Sequence, residues 1–591
     1  MQPIMRQANN SAFCRLIAVL ALLSHGRLVA QANHVEHDTL DRFGGVHTLH
    51  TEHALAKRRW SDSNRKAVVS GFSARQDHRG LHRSLRSAAH IPAGYRFYVS
   101  PGFGIEIYYT ISGADSVDTT DRYGFAAANW RSRIDMPNGV PDYVDEVAWA
   151  MDSSWSMEVV RFGFPEPFGY VSSHYPGETF KMLIENLPPD YYGFTYPLGK
   201  KDEALPGFRC LPTIRTNWEG WDVNEIIDYE SHPEEGIRVT CAHELFHAIQ
   251  LAMVHECTND IFLDTFPVAW TEATAVLMEE LAFDSINDYI DYLGPFFEQP
   301  HLPLLTDDPS GLEWYTNSLV AHYLYRFASG KPDIAFIREL YESNLEQPRE
   351  FHVLLEDAAV SAGTSWSELL GGFHSGSFFT GSRADTTLFI PDAPLLPRWS
   401  YVAGEGNAQA VISKTIMPWG MRTFPVLNDD SSPDPLAITC DVRASSAAGP
   451  TLAFNTLLRQ AGDSTWTVQS QGTGDQDLYT FEIGEWSEYA EAIFVVSNAD
   501  PTQWSEVSVS FGVDVGVQPR ERGKAAPRAE PAAYVPSDRV DVFTVRGRAV
   551  ALPLNCAGFR IPAARGGAAV RVLMRNPYGR LGIVVVRRSA Q

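Results

Sequence analysis

The sequence predicts a multidomain α+β protein: a mixed domain with a small sheet and many helices, an all-β sandwich, and a small C-terminal β module. Three observations predict it. At 591 residues the chain is too long for one core. From about residue 234 to 380 apolar residues recur at helical spacing, whereas after about 395 they fall in short runs split by Gly, Asp, Ser and Pro, the spacing of sandwich strands. An apolar fraction of 44% with a charged fraction of 20% suits globular protein and excludes a disordered chain.

Residues 1–32 read as a secretory signal peptide. Arg6 and Arg15 precede the apolar run Leu16 to Leu23, and a small-residue site follows at Ala30-Gln31-Ala32. Eight apolar residues are too few to span a bilayer, and no later run approaches that length. The expectation is a secreted or extracellular protein without a permanent membrane span. Residues 33–90 form a basic, His-rich propeptide or linker. They carry ten Lys or Arg against six Asp or Glu, and eight of the eighteen histidines. Such a segment would dock electrostatically on an acidic body, and its histidines could bind metal. The run KRRW, Lys57 to Trp60, suits a proteolytic cut. A formal net charge of −24 argues against nucleic acid as a partner.

The mixed domain is expected over 91–390. GYRFYVS and GIEIYYTISG read as strands, a helix follows from about Pro141, and TFKMLIENL is a short strand. YYGFTYPLGKKDEALPGF reads as a surface loop. Helices are expected at EEGIRVTCAHELFHAIQLAMV, WTEATAVLMEELAF, SINDYIDYLGPFF, YTNSLVAHYLYRFA, DIAFIRELYESN and SWSELLGGFHS. The sandwich occupies 395–515, a Pro/Ala-rich linker 516–538, and the last β module 539–591. Cys14 leaves with the signal peptide. Cys210, Cys241, Cys257, Cys440 and Cys556 remain, and no CxxC points to a thiolate zinc site. Pairing of Cys210 with Cys241 or Cys257 is open in an exported protein.

The helix VTCAHELFHAIQLAMV, Val239 to Val254, is apolar on nearly all sides and so should be buried. Yet it carries His243, Glu244 and His247. Buried unpaired charge costs several kcal/mol, roughly, unless the groups neutralise, pair or coordinate a metal. The two histidines stand four apart, so their rings leave one face and can share an ion. Glu244 lies close enough to engage a water on that ion, and the pattern is HExxH. Catalytic zinc usually takes a third protein ligand. The metzincin pattern fails, because Met253 and Gln250 stand where its histidine and glycine belong. His255 lies too far along the helix. A carboxylate from the next helix remains: Glu272, with Glu280 as the weaker alternative and Glu279 facing like Glu272 as a supporting group.

HELFHAIQ followed by WTEATAVLMEE resembles the gluzincin group of zinc metallopeptidases, and within it a family of secreted bacterial metalloproteases. The likeness covers roughly residues 95 to 385 and takes in IYYTISGADSV, NGVPDYVDEVA and WYTNSLVAHYLYRF. It implies a zincin-like metallopeptidase domain with one catalytic zinc ion held by His243, His247 and Glu272. The implied function is a zinc-dependent endopeptidase that cuts protein or peptide substrates with a zinc-activated water and Glu244 as general base. A further donor should stabilise the oxyanion; Tyr315 and His322 are candidates, and Tyr315 stands where the family carries a tyrosine. One departure matters: Val276 replaces the Asp that thermolysin-like members place four residues after the ligand Glu.

The family also shows a calcium-loop pattern before its first helix. Here Asp135 to Asp145 is one residue short, which leaves Asn138, Asp142 and Asp145 as weaker Ca2+ candidates. The C-terminal module loosely resembles sorting or attachment domains and implies cell-surface attachment. The alternative function is a cell-surface binding or adhesion protein whose peptidase-like domain is inactive. A zinc amidase or glycan-processing enzyme is a third reading, since HExxH defines the chemistry better than the substrate.

Overall fold

The computed structural model describes residues 91–512 apart from 127–128, 168–177, 188–190, 201–205, 222–227, 259–261, 264–265, 308–311, 313, 400, 402–410, 430–431 and 445–450. Five short strands at 46–47, 541–543, 549–551, 570–575 and 581–586 are also described. The expected signal peptide, most of the basic segment, the linker 516–538, Cys14 and Cys556 lie outside the described residues. The protein is multidomain α+β and divides into two compact units, residues 1–514 and 515–591.

The first unit begins with a hairpin, β1 (Arg96–Val99) and β2 (Glu106–Tyr109). A small pair follows, β3 (Gly124–Ala126) with β4 (Asn129–Ile134). Helix α1 (Asp142–Trp155) starts after Pro141, with Asp142 and Asp145 in its first turn. It runs on through a π turn, Ser156–Arg161. Strands β5 (Lys181–Glu185), β6 (Gly193–Gly199) and β7 (Arg209–Arg215) complete one mixed sheet. Its order is Val46–His47, β6, β7, β5, β2, β1. β2, β5 and β7 are parallel neighbours; β6 runs antiparallel to β7.

β6 is a correction. Its sequence reads as surface loop because Gly and Pro interrupt it, yet Gly193, Phe194 and Thr195 are buried. Gly193 is required there by close approach: a Cβ would meet Thr213 O and Thr240 Cγ2, each at 2.7 Å, and Glu244 Cγ at 3.0 Å. A residue chosen to let a helix reach a strand reads like a turn residue in the sequence.

Helix α2 (Pro233–Ala252) lies under the sheet, against β6 and β7 on one side and α1 and α3 (Val268–Ala282) on others. Sixteen of its twenty residues are buried, which explains why its sequence lacks a polar face. A minimal strand pair, β8 (Cys257–Thr258) and β9 (Phe262–Leu263), lies between α2 and α3. The single helix expected over SINDYIDYLGPFF is a 3-10 turn, Asp288–Tyr292, and a short α4 (Gly294–Glu298). Pro295 has no N–H to continue the first piece. α5 (Ser318–Phe327) follows a 3-10 turn at Tyr315–Asn317, and α6 (Ala335–Glu346) comes next. α7 (Phe351–Ser361) is an additional helix, with Phe351, Leu354, Leu355, Ala358 and Ala359 on its buried face. α8 (Trp366–Gly376) carries a full capping box between Ser365 and Glu368.

Two four-stranded antiparallel sheets follow. One has the order β10 (Val411–Ile416), β17 (Ser505–Phe511), β12 (Leu436–Ala444), β15 (Leu478–Ile483). The other has β11 (Met421–Leu427), β16 (Tyr489–Asn498), β13 (Leu452–Gln460), β14 (Trp466–Gly474). Phe424, Ile438, Phe454, Phe494 and Val509 share their interior. The outer face of the second sheet is covered over its central strands: Leu457, Ile493 and Val495 belong to the same core as the helices. That is why AIFVVSN in β16 reads as an unbroken apolar run rather than an alternation. Gly371 of α8 allows the contact, since a Cβ there would sit 2.7 Å from Ala453 Cβ.

Cys210, Cys241, Cys257 and Cys440 form no disulfide with one another, so the Cys210 pairings left open by the sequence are not made. Cys210 Sγ faces Ala248 O and Cys241 Sγ faces Val147 O. No helix among the described residues is long and apolar enough to cross a membrane. In the second unit Asp541–Phe543 pairs with Ala549–Ala551, and Val570–Arg575 with Leu581–Val586, both antiparallel.

Candidate metal centre

α2 and α3 pack side by side, and their facing sides bring three electron-pair donors together. His243 Nε2 and His247 Nε2 are 2.8 Å apart. Glu272 Oε2 stands 3.2 Å from the first and 3.5 Å from the second. This is the only group of three or more His, Cys, Asp or Glu among the described residues whose ligand atoms converge within 4.8 Å. The histidines are fully buried and Glu272 is 2% exposed. Tetrahedral zinc with ligands at about 2.0–2.1 Å would hold its donor atoms roughly 3.3 Å apart, so the spacing fits such an ion. A divalent ion would also offset the desolvation of the buried carboxylate.

The back of each ring is held. His243 Nδ1 lies 2.5 Å from Glu279 Oε1, and His247 Nδ1 lies 2.8 Å from Gln250 Oε1. Glu279 stands seven residues after Glu272 on α3, two turns on, so both reach toward α2. It supplies a carboxylate where Val276, also buried, cannot. Asp288 lies beyond Glu279 and accepts from Tyr229 OH at 2.7 Å and Tyr292 OH at 3.2 Å.

Electrostatics follow from burial. Desolvation, then the neighbouring His247, pushes the His243 pKa down to about 4. Desolvation also opposes charge on His247, but Glu272, Glu244 and Gln250 together outweigh it and raise its pKa. For Glu272 burial is likewise outweighed, here by both histidines, and its carboxyl stays ionised far below the usual range. Burial, Asp288 and Glu244 raise Glu279 well above an ordinary carboxylate, while burial lifts Asp288 to about 6.

Glu244 is fully buried on α2, and its Oε2 accepts from Thr195 Oγ1 at 2.7 Å. The same hydroxyl lies 2.9 Å from the Glu244 backbone oxygen. Thr195 is on β6, so the strand misread as loop is the one that touches Glu244. Tyr315 stacks on His243 with ring centroids 6.1 Å apart. His322 goes elsewhere: it stacks on Tyr289 at 4.4 Å and its Nδ1 meets Ser318 O. Glu280 is not part of the group either. It sits among Asp284, Asp288 and Asp392, where burial and then those charges raise its pKa to about 9. His255 Nε2 meets Leu345 O.

The loop before α1 is arranged differently. Asn138 Oδ1 accepts from Val140 N, and Asn138 Nδ2 points at both Asp145 oxygens at 3.1 Å. Asp121 accepts from the backbone N–H groups of Asn138 and Gly139, and Asp142 from those of Arg122 and Tyr123. N–H groups meet the carboxylates that a calcium loop would leave for the ion.

Thr195 and Gln250 were not found by sequence reasoning. Gln250 left a readable signal, a polar residue three after the second histidine in a helix buried all round. Thr195 left none, because its role depends on strand pairing.

No protein-family description matches the chain, and no curated protein matches it. Among solved structures, a mitogen from Yersinia pseudotuberculosis is similar at 13% identity with a TM-score of 0.13, covering 17% of this chain and 83% of that one. A family GH115 4-O-methyl-alpha-glucuronidase with specificity for decorated arabinogalactans is similar at 10% identity with a TM-score of 0.11, covering 59% of this chain and 53% of that one. Likeness at this level carries no argument about fold or function.

Proposed function

We propose that residues 91–390 form a zincin-like metallopeptidase domain and that the chain is an exported zinc-dependent endopeptidase. One observation carries the reading: His243 and His247 of α2 and Glu272 of α3 converge as a buried donor set, with the Glu244 carboxylate on the helix of the two histidines. His243, His247 and Glu272 would hold the ion. Zinc bound there supplies Lewis acidity, which polarises a carbonyl and lowers the pKa of a water toward 7. Glu244 accepts a proton from the attacking water and returns it to the leaving amine. Thr195 holds that carboxylate in place through its hydroxyl. Tyr315, stacked on His243, would donate toward the oxyanion. Glu244→Gln should keep stoichiometric zinc and lower peptide-bond hydrolysis by about 10²- to 10⁴-fold. Equal hydrolysis by the two proteins would reject the mechanism.

A second reading has one observation in its favour. His243, Glu244 and His247 have no exposed surface at all. A closed donor set suits a protein that keeps the metal for structure and uses its β modules for binding at a cell surface. Zinc at one per chain with no hydrolysis of any peptide library, in wild type and Glu244→Gln alike, would select it.

A further inference from the structure

The back of His247 is held by an amide, and the surroundings of that amide decide which ring nitrogen carries the proton. Gln250 is buried on α2, and its Nε2 lies 2.9 Å from Thr271 O, 3.0 Å from Thr274 Oγ1 and 3.1 Å from Tyr341 OH. Thr271 O is a backbone carbonyl and can only accept. The single hydrogen of the Thr274 hydroxyl has backbone carbonyl acceptors in Trp270 O at 3.0 Å and Thr271 O at 3.2 Å, which leaves its oxygen to accept from the amide. Turning the amide over would set its oxygen against the Thr271 carbonyl, lone pair to lone pair. The amide nitrogen therefore faces α3 and α6, and Oε1 faces His247 Nδ1 at 2.8 Å.

An acceptor at Nδ1 calls for a proton there. A neutral imidazole with its proton on Nδ1 offers the Nε2 lone pair, the atom that faces His243 Nε2 and Glu272. From this chain of contacts we propose that Gln250 is a positioning residue: anchored by α3 and α6, it fixes the tautomer and ring orientation of His247 so that Nε2 is ready for a metal. The inference rests on the metal reading of the His243–His247–Glu272 group. It assigns the two histidines different supports, a carboxylate behind His243 and a neutral amide behind His247.

The test uses the full chain with wild type, Gln250→Leu and Thr274→Val. Leu fills similar space without an acceptor; Val removes one anchor of the amide and leaves its oxygen. Zinc-loaded proteins are mixed with excess chelator and zinc release is followed. Gln250→Leu should release zinc about 10- to 100-fold faster, and Thr274→Val by a smaller factor. Metal-free wild type with 15N-labelled histidine should show His247 protonated at Nδ1, and Gln250→Leu should show both tautomers. Should Gln250→Leu not fold, Thr274→Val and the wild-type tautomer carry the test. Wild type that holds zinc, with His247 protonated at Nε2 or with unchanged release in both variants, overturns the role of Gln250 alone. Wild type that takes up no zinc overturns the metal reading, and the role of Gln250 with it.

Discussion

Around His243 and His247 the buried atoms that face one another are electron-pair donors, two ring nitrogens and a carboxylate oxygen. Around the buried Asp145 the atoms that meet are its carboxyl oxygens and the amide hydrogens of the exposed Asn138. Both places attract a metal hypothesis from sequence, one through HExxH and a following glutamate, the other through acidic residues around Gly139. The difference lies in who supplies the positive end. In the loop, side-chain and backbone N–H groups supply it, and each carboxylate is met. Between α2 and α3 one nitrogen of each ring faces outward, to Glu279 and to Gln250, and on the proposed metal reading the inward nitrogens and the Glu272 oxygen would be matched by a cation. Counting acidic residues therefore separates the two places poorly, whereas counting donors facing acceptors separates them well.

The sharpest break of this contrast is His247→Ala. It should cut bound zinc from one per chain to near none after dialysis, read by elemental analysis, because two remaining ligands make a weak site. Retention of full zinc would mean that the ion is held elsewhere. Glu279→Leu should act less strongly. The three donors stay, but His243 loses its support, so zinc affinity should fall about 10- to 100-fold in a chelator competition. An unchanged affinity would show that Glu279 is packing only.

The smallest effect belongs to the loop. Burial, partly offset by Asn138 and Tyr98, raises the Asp145 pKa to about 7. The folded state thus binds this proton more tightly than the unfolded chain. The stability from protonated Asp145 is complete below the unfolded value of 3.8 and is lost as pH rises through about 7. Asp145→Asn cannot ionise. It should match wild type near pH 4 and unfold at higher urea at pH 8, by on the order of 1–2 kcal/mol. Added calcium should leave both midpoints where they are. Calcium stabilisation of wild type, lost in Asp145→Asn, would make the loop a cation site and erase the contrast.

Much of the fold was legible because its cues are local. Apolar spacing located α2, α3 and α8, and aromatic and β-branched runs located β1 and β2. β6 was not, because Gly193 and Pro197 signal a turn unless α2 is known to press against Gly193. The broken helix at Gly294-Pro295 was misjudged because its apolar spacing continues across the break. The fusion of the second sandwich sheet to the helical core showed only as the missing alternation in β16.

For the site, the sequence by itself determined the donors. His243, Glu244 and His247 are placed by the pitch of one helix, and a helix fixes the relative position of residues four apart without help from the rest of the chain. Tertiary structure added that Glu272 and not Glu280 meets both histidines, that Glu279 meets His243, that Tyr315 and not His322 lies against His243, and that Thr195 meets Glu244. Each of these depends on how α3, α5 and β6 are rotated against α2. That rotation is set by packing among side chains far apart in sequence, at places such as Gly193 where one added carbon would push the strand away.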